Sequence, residues 1–99
     1  MNRPRVLPRS FYGSEAQLRA LVLASGVSGA WEERLNGHFQ FRSDDGGILN
    51  WWQTTGRLLL QGDVAAARSL ERAMLEVVDQ ARVENQQLQK ELSRLRDYR

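Results

Sequence analysis

WEERLNGHFQFRSDDGGILNWWQTTGRLLLQ, residues 31–61, decides the fold of this chain: hydrophobicity alternates there with a period of two, and turn residues recur every six to ten positions. Asn36-Gly37 is a type I′ hairpin signal, because both central positions of that turn need a positive φ that asparagine and glycine tolerate. It joins a strand over 31–35 to one over 38–42. Asp44-Asp45-Gly46-Gly47 makes the next turn, Ile48 to Trp52 the third strand, Thr54-Thr55-Gly56 the third turn, and Arg57 to Gln61 the fourth strand. Short turns between consecutive strands predict an antiparallel meander. Phe39 and Phe41 share one face and His38, Gln40 and Arg42 the other; Leu58 and Leu60 likewise oppose Arg57, Leu59 and Gln61. Trp51 and Trp52 are adjacent on a strand and point to opposite faces, so at most one belongs to the core.

Helices are expected on both sides of the meander. Ser14-Glu15-Ala16-Gln17 has the form of a capping box, Leu18, Leu21 and Val22 follow at helical spacing, and Gly26 is placed to end that helix. Gly62-Asp63 closes the fourth strand and caps a helix that meets no proline or glycine from Val64 to about Asp97. The predicted fold is α+β: a helix, a four-stranded antiparallel meander and a long C-terminal helix ending in a parallel dimeric coiled coil. Residues 1–13, with Pro4, Pro8 and Gly13, form an extended basic arm, 14–77 a small α+β domain, and 78–99 the dimerisation helix.

At 1.5 Å per residue the last helix is roughly 50 Å long, more than so small a domain can cover. Its first half, with Ala66, Ala67, Leu70, Met74 and Val77, can pack on the sheet. Its second half carries a heptad seam, with Val78, Asn85 and Leu92 at a and Ala81, Leu88 and Leu95 at d. Leucine at d suits two-stranded packing, and a buried asparagine at a fixes register and orientation at a cost in stability. Glu91 at g stands five residues before Arg96 at e, so each can meet its counterpart in a parallel pair. Residues 78–99 thus resemble the leucine zippers of dimeric transcription factors. No basic region precedes them, since residues 64–77 hold two arginines against two glutamates, and no DNA-reading role is implied.

Residues 47–62, with their strand, Thr-Gly turn, strand and Gln-Gly ending before a helix, resemble the TATA-binding-protein-like domain at the amino end of bacterial ribonuclease HIII. The resemblance implies a curved antiparallel sheet, backed by helices, that holds nucleic acid on its exposed face. The matching positions are His38, Gln40, Arg42, Arg57 and Gln61, with one of Trp51 and Trp52. An aromatic ring among arginines can stack on a base while the arginines hold phosphate, and the same patch also fits a protein-protein hot spot.

Composition narrows the classes further. The 99 residues hold no cysteine, which removes disulfides, thiolate metal sites and cysteine nucleophiles. Net charge is +2, and the surplus sits toward the amino end, where Arg3, Arg5 and Arg9 fall within nine residues. Of the 14 basic residues only Lys90 is a lysine, and arginine's planar fork suits phosphate and carboxylate. No apolar run has the length of a signal peptide or a membrane span, so a cytoplasmic location without a membrane partner is expected. His38 is the single histidine and has no acid or serine at triad spacing, Asp44 and Asp45 read as turn residues, and the glycines match no nucleotide fingerprint. No enzyme activity, cofactor or metal is expected. The expectation is a non-enzymatic homodimer that binds a protein, such as a small phage or mobile-element inhibitor of a host enzyme or defence complex. The alternative is a dimeric nucleic-acid-binding accessory protein that uses the sheet face and the arginine-rich arm.

Overall fold

The computed structural model describes the backbone of residues 7–97 and the side chains of residues 7–90. Helix α1 spans Glu15–Ala24, strands β1 to β4 span Gly29–Glu33, His38–Ser43, Gly47–Trp52 and Arg57–Gly62, and helix α2 spans Val64–Asp97. The strands form one antiparallel sheet in the order β1-β2-β3-β4. The fold is therefore α+β, a meander between two helices. Ser14 accepts the Gln17 N–H at 3.1 Å while the Gln17 side chain accepts the Ser14 N–H at 2.8 Å, so the capping box starts α1. Asp63 caps α2 through the Ala66 N–H at 2.9 Å.

β1 lies two residues earlier than the strand expected over 31–35, and the hairpin explains the shift. Asn36 and Gly37 adopt the expected positive φ of 60° and 74°, and the His38 N–H closes the turn on the Leu35 carbonyl. The Arg34 N–H, however, also donates to the His38 carbonyl, at 2.7 Å. His38 thus opposes both Arg34 and Leu35, which is a one-residue bulge. Because side chains alternate with a period of two, one extra residue moves every side chain of β1 to the opposite face. Trp31 pairs with Phe41 instead of Arg42 and joins the core face, its ring centroid 5.3 Å from that of Phe41.

The core lies on that face. Phe39, Phe41, Leu49 and Trp51 of the sheet pack with Leu18 and Val22 of α1 and with Leu70 and Met74 of α2. Burying each such side chain stabilises the fold by about 1.5–3 kcal/mol relative to exposure. Both helices lie on this side, and among the described residues no helix covers the opposite face of the sheet.

From Leu7 onward the amino-terminal segment is held against β4. The Leu7 N–H donates to Glu71 Oε2 at 3.0 Å, Arg9 accepts from the Leu58 N–H at 2.8 Å, and the Phe11 N–H donates to the Gly56 carbonyl at 2.6 Å. The last two bonds cover the outer edge of β4 at its end near Gly56 and Leu58. The first part of α2 is covered by the domain, but every side chain from residue 81 to residue 90 is exposed. Among the described residues no helix is long and apolar enough to cross a membrane.

Candidate binding face and dimerisation helix

The open face of the sheet is built from three cross-strand rows. Strand pairing aligns His38 with Trp52 and Arg57, Gln40 with Asn50 and Leu59, and Arg42 with Ile48 and Gln61. The alternation of each strand puts all nine on the face away from the helices.

In the first row the planar groups stack. The His38 and Trp52 rings lie 4.4 Å apart and 11° from parallel. The Arg57 guanidinium lies over the Trp52 ring, 5.7 Å from its centroid. His38 and Arg57 belong to the strands on either side of β3 and flank Trp52, which is half-buried between them.

Behind this stack runs a hydrogen-bonded line. Arg42 Nε donates to Gln40 Oε1 at 3.0 Å, Gln40 Nε2 donates to Asn50 Oδ1 at 2.9 Å, and Asn50 Nδ2 donates to the Leu59 carbonyl at 3.2 Å and to Gln61 Oε1 at 3.0 Å. Both ends fix its direction, because a guanidinium only donates and a carbonyl only accepts. Asn50 therefore presents its oxygen to His38 Nε2, 2.8 Å away, and that nitrogen must carry the proton. Asn50 is 1% exposed on a face that no helix covers, buried by the side chains around it. Among the described residues no buried side-chain polar atom lacks a partner.

The residues expected at a binding site are thus divided. His38, Arg42, Trp52, Arg57 and Gln61 share the open face with some exposure, whereas Gln40 is buried within the hydrogen-bonded line. Trp51 leaves the set. It points into the core, its Nε1–H satisfied by the Phe11 carbonyl at 2.9 Å and its ring edge-on to Phe11 at 5.8 Å. Arg9 is exposed beside β4, and Arg3 and Arg5 lie outside the described residues. Asn50 was not among the expected residues. Its signal in the sequence is an amide in the middle of an apolar strand, alternating with Trp52, which marks that set as the polar one.

Of the zipper positions, Val78 is half-buried at the margin of the domain, while Ala81 and Asn85 are exposed and Leu88 is 56% exposed. Glu91, Leu92, Leu95 and Arg96 lie on the helical backbone, and their side chains are outside the described residues. Comparison of the chain with protein-family models, curated proteins and solved structures gave no match.

Proposed function

We propose that this chain is a non-enzymatic homodimeric binding protein, in which the distal half of α2 pairs in parallel with a second copy and each open sheet face receives a protein partner. The observation that carries the homodimer is the continuous helix from Val64 to Asp97, fully exposed over residues 81–90 and with Leu88 on its surface. A helical stretch of this length without tertiary packing is marginal in water, and a second helix along its seam supplies what the domain does not. Pairing places Asn85 against Asn85 and sets the register. It also brings together two copies of the sheet face, which raises avidity for a repeated or two-fold target without new contacts.

The protein-partner reading of the face is supported by the covering of Trp52. Base stacking needs a free ring face, and His38 is stacked on this ring while the Arg57 guanidinium lies over it. An aromatic edge flanked by exposed arginines instead suits an acidic protein surface. Nucleic acid is the second reading, favoured by the exposed guanidiniums of Arg42 and Arg57.

Light scattering on the intact chain and on a chain shortened after Val77 tests the homodimer. The intact chain is expected at twice its 11.4 kDa mass and the shortened one as a monomer. A monomeric intact chain at micromolar concentration refutes the proposal. A gel shift that appears at low salt and collapses as salt rises would transfer the face to nucleic acid.

A further inference from the structure

We propose that the outer edge of β1 is a docking site for an extended basic peptide, taken up as a fifth strand with an apolar side chain in the groove between β1 and α1. The two edges of the sheet are treated differently. The amino-terminal segment covers the first part of the β4 edge, with Ser10 bridged to Arg57 and bonds from Arg9 and Phe11 on either side. Nothing among the described residues bonds to the other edge. The Arg34 N–H reaches the His38 carbonyl and the Asp44 N–H reaches the Ser28 carbonyl, at 2.7 Å and 2.9 Å. In an antiparallel pair inward bonding alternates, so Ala30 and Glu32 also face β2, and Gly29, Trp31 and Glu33 turn their N–H and C=O groups outward. Such a row is matched by an extended chain at strand spacing.

Beside the edge lies an apolar groove, lined by Val22 and Leu23 of α1, Val27, Trp31 and Phe41. Leu23 is 81% exposed, a large apolar side chain standing in solvent next to unpaired backbone. Arg19 is tied to Glu15 at 2.7 Å and lies over the Trp31 ring, 5.2 Å from its centroid, which holds that wall in place.

Charge selects the occupant. Glu33 makes no ion pair among the described residues, and Glu32 meets only Arg34, at an exposed 3.4 Å. A second copy paired antiparallel about Trp31 would set two Glu32 side chains diagonally on one face, where like charges repel. A segment with two adjacent lysines or arginines, which point to opposite faces as Glu32 and Glu33 do, instead meets both carboxylates. This site shares no residue with the zipper or the open face and stands independently of the proposed homodimer.

The test uses the intact protein and a fluorescent peptide rich in leucine and valine with two adjacent lysines at its centre, beside a version with glutamate replacing lysine. Saturable binding of the lysine peptide is expected, with amide exchange slowed at Gly29, Trp31 and Glu33. Glu33→Pro removes one outward N–H and none of the bonds to β2, and should weaken binding about tenfold or more. Should that variant misfold, Glu33→Lys should weaken binding in the same direction. Light-scattering mass should not change in either variant. The proposal is overturned if the lysine peptide does not bind, if both peptides bind alike, if a folded Glu33→Pro binds normally, or if protection falls on another surface. It is equally overturned if the β1 amides become protected with rising protein concentration and no peptide, since a second copy then occupies the edge.

Discussion

The indole of Trp51 donates to the backbone carbonyl of Phe11 at 2.9 Å, and the Phe11 ring meets the same indole edge-on, so a residue of β3 anchors the segment that covers the start of the β4 edge. Trp51→Phe keeps an apolar ring but leaves that carbonyl unpaired and part of the core unfilled. A loss of about 2–3 kcal/mol is expected in urea unfolding, with faster proteolysis before Gly13. An unchanged cleavage rate in that segment would show that the anchor is elsewhere.

Asn50 joins three strands, so truncating it disturbs more than its own bonds. Asn50→Ala leaves the buried Gln40 amide without its acceptor, unties Gln61, and should cost about 2–4 kcal/mol. Asn50→Asp sets an acceptor against the Leu59 carbonyl, which cannot turn away. Burial raises the pKa of the introduced carboxyl above its unfolded value, so this variant should be closest to the native protein at acid pH and lose stability as pH rises through the folded pKa. Thermal melts at several pH values check the sign, and a variant that grows more stable with pH relative to the native chain contradicts it.

Gly29 sits where a methyl group would overlap the Arg42 carbonyl and approach the Phe41 ring to 2.6 Å. Both contacts lie in the sheet itself, so Gly29→Ala should force β1 away from β2 and cost about 1–3 kcal/mol. Exchange at the β1–β2 amides should quicken more than at β3–β4, and uniform quickening would speak against a local cause.

On the proposed zipper, Leu88→Glu should leave a folded monomer whose distal helix frays, seen as halved scattering mass and reduced helical circular dichroism. Asn85→Val should act in the opposite direction. A more stable oligomer with mixed stoichiometry is expected, because the polar residue that penalises other registers is gone. If neither substitution alters mass, the seam is not the interface.

The elements themselves were legible because each is signalled locally. Ser14 with Gln17, Asn36-Gly37 and Asp63 each need only a few neighbouring residues to act, and each acts as expected. The bulge was not legible. It depends on a second bond to the His38 carbonyl that the turn sequence does not dictate, yet it decides the face of Trp31. The anchoring of Phe11 on Trp51 joins residues 40 positions apart, beyond the reach of periodicity. Alternation correctly assigned Gln40 to the open face but not its burial, which follows from Arg42 and Asn50 closing over it.

The one-way line from Arg42 through Gln40 and Asn50 to the Leu59 carbonyl bears on binding thermodynamics. A glutamine immobilised on contact with a partner gives up rotamer freedom at that moment, roughly 0.5–1.5 kcal/mol for a side chain of this kind. Here Gln40 and Asn50 are already fixed when the chain folds, and Arg42 is held at one nitrogen. The association proposed on this face would therefore draw on a surface whose conformational entropy is largely spent beforehand, and the remaining loss would fall on Arg57 and the incoming partner.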